Sequence, residues 1–597
     1  MQNSFENFVN KKLTRSKAVH LLQKMNISEP LFLILLAVVI GGLAGAASSA
    51  FQFLIDFFSK ISWIKLRIFF LEQNLPLPLF IVLVPTIGGL LVGFIVNKYA
   101  SEVEGIGVPE VIESVALKGG IIRPRVIWAK VITAALFIGT GGSAGRVGPI
   151  VQIGSAIGSF FGKLFKLSGR RMKVLIACGA ASGIAGIFNA PMAGILFSLE
   201  IILGDITIET FSPVVFSTIT TSIIVRSIIG SSTFLTHLSG VAVSYRDFLW
   251  FILLGIFSGV FGLLFIHSFH STIDFFKKFS IPHFLKPAIG GLIIGLMALK
   301  LPQILGLGLD VINSAVSLKF TLLFFAVLFI GKFLATSISI GSGGSGGIFS
   351  PAMFLGAMLG AAFVLILKTV NLPFGSNPST YVIIGMMAFL AGLIRAPLTA
   401  TLLIYEITDN HMLILPVLVA SLISSGLIYR RVRYSIYTMK LARRGVVLKS
   451  GREENVLASI SVFEIMQKNF IPIPLNAKID KILKIMVEHV GFVIFPVVDE
   501  QGNLFGTINL QDIREFIFDN EYKELENLIL AMDLAQNNFV TVSENETFLQ
   551  AFQHFNAQDD EQILVVSKNN SKKVVGYISK DTANLYYQKK LLKKMIF

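Results

Sequence analysis

An eleven-residue glycine-rich segment occurs twice in this chain: Gly139-Thr-Gly-Gly-Ser-Ala-Gly-Arg-Val-Gly-Pro149 returns as Gly341-Ser-Gly-Gly-Ser-Gly-Gly-Ile-Phe-Ser-Pro351, each time in strongly apolar surroundings. A second pair follows, Ala185-Gly-Ile-Phe-Asn-Ala-Pro191 beside Ala391-Gly-Leu-Ile-Arg-Ala-Pro397. The register is held: Pro149 and Pro351 stand 202 positions apart and Pro191 and Pro397 206, and each later proline precedes a glutamate by nine positions, Glu200 and Glu406. These constraints point to a duplicated membrane core. Glycine-interrupted apolar segments in matching places of two halves mark a transport site built from broken helices.

With 53% hydrophobic and 15% charged residues and a mean hydropathy of +0.73, the 597 residues do not suit a single soluble globule. The uncharged runs 30–55, 75–96, 174–199 and 333–367 each supply the roughly 20 apolar residues that cross a bilayer. Runs 147–162 and 287–299 are shorter, so partial spans ending inside the membrane are expected, which survive only when buried in protein or lining a polar cavity. Residues 1–28 carry Lys11, Lys12, Arg15, Lys17 and Lys24 without the apolar core of a cleavable signal peptide. Arg430, Arg431, Arg433, Arg443 and Arg444 follow the last long apolar run, so both ends are expected in the cytoplasm. The net charge of +15 then reflects positive-inside bias and no nucleic-acid partner, because the basic residues flank membrane segments. A single cysteine, Cys178, excludes disulfides and cysteine-ligated metals; the eight histidines form no metal pair, and no catalytic constellation is present.

The domain plan reads as a cytoplasmic N-terminal segment (1–28), a membrane domain (29–445) with repeats at about 75–230 and 287–430, a linker (446–458) and a soluble α/β part. In the last, 491–498 and 504–509 read as two strands around a tight turn, followed by helical 510–518. The pattern returns in 562–567 and 574–579, separated by the turn 568–573, with Asp581 opening a helix.

Three glycine-rich turns each open an apolar helix: Gly105-Ile-Gly-Val-Pro109 and the loops ending at Pro149 and Pro351. Proline suits a first helical turn, and glycine lets unpaired backbone N–H groups approach a ligand. A helix start carries roughly +0.5 charge equivalents, so three aimed at one point attract an anion, weakly enough for it to leave again. The competing reading is that these glycines only permit close helix packing. Three loops, two of them in internal repeat, favour a site.

The segments Gly105-Ile-Gly-Val-Pro109-Glu110, Gly145-Arg-Val-Gly-Pro149, Gly346-Gly-Ile-Phe-Ser-Pro351 and Ser435-Ile-Tyr437-Thr, in that order, resemble the signature segments of the CLC chloride channels and anion/proton exchangers. The C-terminal pattern resembles a tandem pair of CBS domains, at 459–518 and 528–590. The resemblance implies an all-α polytopic membrane domain with inverted repeats and broken or re-entrant helices, plus a cytoplasmic α/β CBS pair. It also implies a homodimer with one pore per subunit in the lipid bilayer, and a bacterial inner membrane is the expected location. The anion, chloride as first choice, would lie among Gly105, Ile106, Gly107, Val108, Gly145, Arg146, Val147, Gly148, Gly347, Ile348 and Phe349, with Tyr437 offering its hydroxyl. No cofactor is required.

Three departures from the family pattern carry the functional expectation. Where the family places a glutamate that occupies the anion path and exchanges a proton, this chain has Val147, which cannot titrate. Where the exchangers place a second, internal proton glutamate, it has Ile201; the adjacent Glu200 points about 100° away on a helix and is expected to make a structural contact. Where chloride-selective members present a serine hydroxyl, it has Ile106. With both carboxylates missing, passive anion flow uncoupled from protons is expected. The other readings are a coupled anion/proton exchanger and a non-conducting sensor whose membrane part anchors the CBS pair. The CBS pair itself has two readings. Either it binds an adenine nucleotide through Asn509, Asp512, Ser579 and Asp581, or it dimerises and tunes the protein without one.

Overall fold

The computed structural model describes residues 29–167, 169–204, 207–230, 242–443, 460–489, 492–509, 513, 529–536, 539–551, 562–568, 570–579 and 582. The chain divides into two units, 1–444 and 445–597.

The first unit is built of helices. Its opening half runs α1 (Glu29–Ser59), a π-turn (Lys60–Lys65), α2 (Leu66–Glu72), α3 (Leu77–Tyr99), α4 (Val108–Leu117) and α5 (Arg125–Gly139). It continues through α6 (Val147–Leu164), α7 (Arg170–Phe188), α8 (Pro191–Phe197) and α9 (Ile208–Ile229). The second half runs α10 (Phe248–Lys278), α11 (Lys286–Ala298), α12 (Leu309–Val316), α13 (Leu322–Gly341) and α14 (Phe349–Thr369). Then come α15 (Pro378–Ile394), α16 (Pro397–Thr408) and α17 (Ile414–Arg431), with a short α18 (Met439–Ala442) after Tyr437.

Helices α3 to α9 correspond one for one with α11 to α17, and each series is preceded by a 31-residue helix, α1 or α10. The repeats therefore begin one helix earlier than the expected 75 and 287. Neither leading helix carries a glycine-proline motif, but both end on the same Ile-Asp-Phe-Phe stretch, at 55–58 and 273–276. The contacts repeat as well: α1 lies against α7 and α9 as α10 lies against α15 and α17, while α3 meets α11 and α8 meets α16 across the halves. Glycines allow the closest crossings. A Cβ on Gly154 would lie 2.0 Å from the Gly179 carbonyl oxygen, and one on Gly356 2.4 Å from that of Gly385, the equivalent pair in the other half.

Two of the uncharged runs are each divided between two helices. Run 174–199 breaks at Asn189, which takes a left-handed φ of 53° ahead of Pro191, and run 333–367 breaks at the loop between Gly341 and Phe349. A residue before proline is driven out of the helical region, and a glycine-rich loop has no side chains to hold a turn, so apolarity alone does not keep a helix continuous. The shorter runs emerge as α6, with 18 residues, and α11, with 13. Among the described residues, eight helices are long and apolar enough to cross a membrane.

The second unit holds two three-stranded sheets of one design: β1 (Ile473–Pro474), β2 (Ile494–Val498) and β3 (Leu504–Asn509), then β4 (Thr541–Ser543), β5 (Gln562–Ser567) and β6 (Asn570–Ser579). In each, the first strand runs parallel to the second and the second antiparallel to the third. The two-residue β1 and three-residue β4 are too short for a period to be read. Strand β6 begins at Asn570, so most of the expected turn 568–573 is strand, paired through Asn570 to Ser567. The turn between β2 and β3 is fixed by Asp499, whose carboxylate accepts the Asn503 and Gln501 amides at 2.7 and 3.0 Å. The Asn503 amide, first among these partners, holds that carboxyl below its ordinary value. Of the expected helix 510–518 only Ile513 is described, and it is helical; the N-terminal segment 1–28 and the linker 446–458 lie outside the described residues.

Candidate functional site

The two copies of the glycine loop meet face to face. Gly145 N donates to Gly347 O at 2.6 Å and Gly347 N to Gly145 O at 2.7 Å, a reciprocal exchange between residues 202 positions apart. An approximate two-fold axis relating the halves therefore passes between them. The third turn joins from the side: Gly105 N donates to Gly344 O at 3.1 Å and Gly346 N to Gly105 O at 3.2 Å. Gly148 is where all three converge, since a Cβ there would lie 2.0 Å from Ile106 O and 3.1 Å from Gly347 Cα. Helices α4, α6 and α14 start at Val108, Val147 and Phe349, so their N-terminal amides open onto this meeting point.

Four of the amides expected to face an anion are engaged elsewhere, which corrects the expectation for Gly105, Gly107, Gly145 and Gly347. Three of them make the loop-to-loop bonds just given, and Gly107 N donates to Glu110 Oε2 at 3.0 Å. They form the scaffold because glycine is what lets the loops close on one another. The amides of Ile106, Val147, Ile348 and Phe349 donate to no protein acceptor among the described residues. Their side chains, with Val108, are buried. Phe349 lies against Phe188, ring centroids 5.6 Å apart. Tyr437 is wholly buried and its hydroxyl has no partner among the described residues, whereas Tyr434 is only half-buried. A buried phenol normally finds a partner, so an orphaned one suits a group that meets a ligand. Arg146 turns away: its guanidinium donates to Gln52 Oε1 and, at 3.5 Å, to Ile187 O, and Gln52 in turn donates to Asp56. The arginine beside Val147 is thus tied to α1 and α7.

Two buried lysines, missed by the sequence reading, brace the loops from matching positions. Lys130 Nζ on α5 donates to Val103 O at 2.7 Å and Gly105 O at 2.9 Å; Lys332 Nζ on α13 donates to Ile304 O at 2.9 Å and Gly306 O at 2.7 Å. The signal was available, because both stand 202 positions apart inside otherwise apolar runs. A buried cation bonded to two carbonyls locks a turn that glycine alone leaves mobile.

The paired glutamates have a shared purpose. Glu200, in the π-turn Ser198–Leu203, accepts the Leu398 and Thr399 amides at 3.4 and 3.0 Å and the Thr399 hydroxyl at 2.7 Å, capping α16. Glu406 on α16 accepts the Met192 and Ala193 amides at 2.9 and 2.8 Å, capping α8. Each half thereby caps a helix of the other, and Glu200 makes the structural contact expected of it. Ile201, half-buried beside it, brings no titratable group. In the second unit, Asn509 and Ser579 end β3 and β6, and the Ser579 hydroxyl is bonded to Thr582 Oγ1 at 2.8 Å. Asp512 and Asp581 lie outside the described residues.

Residues 88–428 match the sequence profile described as voltage gated chloride channel, and residues 462–519 and 531–583 match that of the CBS domain. A Ralstonia nicotianae protein named for its likeness to the chloride channel protein ClcB is 32% identical over 366 residues, 61% of this chain and 85% of that protein. The H(+)/Cl(-) exchange transporter ClcA of Vibrio vulnificus is 33% identical over 415 residues, 66% of this chain and 86% of the relative. Among solved structures, a slow cyanobacterial Cl-/H+ antiporter superposes with a TM-score of 0.62 at 28% identity, covering 70% of this chain and 98% of that one.

Proposed function

The chain belongs to the voltage-gated chloride channel family, and we propose that it conducts an anion, chloride first, passively and without moving protons. The observation that carries this reading is Val147 at the first turn of α6, where the three loops meet. Four open amides, from Ile106, Val147, Ile348 and Phe349, together with the Tyr437 hydroxyl, are assigned to the anion. Partial charges of this kind hold a halide without trapping it. The glutamates that the sequence places near these motifs are engaged: Glu110 with Gly107, Glu200 and Glu406 with helix starts. Ile106 brings an amide but no hydroxyl, which weakens preference among anions.

A second reading, a coupled anion/proton exchanger, is favoured by the names of the ClcA relatives and of the cyanobacterial structure. It needs a proton-carrying group in place of Val147 and Ile201, and Glu200 is the acid next to the latter. Glu200→Gln separates the readings. Under ours the amide keeps one acceptor, costs about 1 kcal/mol as a weakened cap, and leaves anion flux unaltered. If Glu200 carries protons, the substitution abolishes an existing proton flux. For the unmodified protein, reconstituted liposomes with a steep chloride gradient are expected to show chloride efflux without proton movement; proton uptake in fixed proportion to chloride efflux would overturn the proposal. A homodimer with cytoplasmic termini in a bacterial plasma membrane, and a CBS pair that tunes the pore with or without an adenine nucleotide, complete the reading.

A further inference from the structure

One ion pair near the assigned site is used by nothing above. Lys440 lies on α18, three residues after Tyr437, and its ammonium pairs with Glu110 Oε1. The other oxygen of the same carboxylate accepts the Gly107 amide at 3.0 Å. Lys440 Nζ also stands 3.9 Å from where a Cβ on Gly105 would lie. On the far side of the turn, Lys130 holds the Val103 and Gly105 carbonyls. Two charged side chains, Lys130 and Glu110, thus grip the turn's carbonyls at 103 and 105 and its amide at 107, Lys440 holds the second of them, and the Ile106 amide is left open. Glu104, in the turn itself, also faces Lys130, so two lysines stand against two glutamates around the turn that has isoleucine where a hydroxyl donor is expected.

We infer that Lys440 is a positioning residue for the anion: through Glu110 it fixes the Gly107 amide, so that the Ile106 amide points into the site. The inference rests on the assignment of that turn to the anion. A flexible carboxylate with no cation beside it would leave Gly107 free to rotate about its left-handed φ of 94°. Charge-assisted hydrogen bonds are the stronger kind, and the pair is only partly exposed, 37% at Lys440 and 19% at Glu110, so solvent does not fully screen it.

The test uses full-length protein in planar bilayers, recording chloride concentration dependence and permeability ratios among chloride, bromide and nitrate. Lys440→Gln is expected to weaken apparent chloride affinity roughly tenfold, as removal of one charged hydrogen-bond partner does, and to bring the permeability ratios closer to one. Lys440→Arg is expected to stay within about twofold of the unmodified protein, since the charge and the reach are kept. Glu110→Gln is expected to shift the ratios in the same direction as Lys440→Gln. Unchanged affinity and ratios in Lys440→Gln would overturn the inference, and so would an equal loss in Lys440→Arg, because packing and not charge would then be at issue. Neither result touches the wider assignment, which is tested separately by whether the unmodified protein conducts an anion.

Discussion

Replacing Val147 with glutamate is expected to give a conductance that is largest near pH 4 and falls roughly 100-fold or more by pH 8. The sign follows from the position. Val147 begins α6, buried where the turns of α4 and α14 converge, so a carboxylate there reaches the same amides that are assigned to the anion. Above its ordinary pKa of about 4.3 glutamate is ionised. At roughly 4 Å and an effective dielectric of about 20, two like charges repel by about 4 kcal/mol, enough to displace the anion almost completely. Protonation removes the charge and restores conduction, so acid opens the path. The unmodified protein has no titratable group at this position and is expected to conduct equally at both pH values. Currents through Val147→Glu that do not change between pH 4 and 8 would show that residue 147 does not face the anion.

Gly148→Ala is the second large effect. Its Cβ would sit 2.0 Å from Ile106 O, a backbone atom that cannot step aside without moving the whole turn. Overpacking of this kind costs about 1–3 kcal/mol, and a displacement of about 1 Å at the site is worth a factor of about 100 in function. Near-complete loss of anion flux is therefore expected, with folded protein still recovered in detergent. Gly426→Ala on α17 is the control, because nothing lies within 4 Å of its added methyl group. It is expected to be silent in flux and, as alanine is the better helix former, stable or slightly more so. Equal flux from Gly148→Ala and the unmodified protein would mean that the three loops do not meet at the conduction path.

The duplication was legible because its punctuation is chemical: Pro149 and Pro351, and Pro191 and Pro397, mark helix starts that no apolar residue could mark. Helices α1 and α10 lack the glycine-proline punctuation, and their own match, Ile-Asp-Phe-Phe at 55–58 and 273–276, lies outside those motifs. Hydropathy alone does not show the breaks at Asn189 and after Gly341, since it sums composition and does not see φ; Pro191 and the glycine loop before Pro351 mark them. At the site, the three turns could be read as helix starts, but not which of their amides stay open. Gly105, Gly145 and Gly347 give theirs to one another across about 200 positions of chain, a pairing that local spacing does not encode. The glutamates nine positions after each proline were visible as a pattern, yet their purpose is reciprocal and appears only when α8 and α16 lie together. Lys130 and Lys332 were the readable signal left unread, since a lysine kept in an apolar run needs buried acceptors, and two of them in register specify a duplicated brace.

The most direct measurement of the central claim is the reversal potential of the purified protein in a bilayer carrying opposed chloride and pH gradients. If backbone amides pass the anion and no side chain passes the proton, the reversal potential follows the chloride ratio alone, about 59 mV for each tenfold step, and is unmoved when the pH gradient is reversed. A reversal potential that shifts with the pH gradient at fixed chloride would contradict the account and establish coupled exchange.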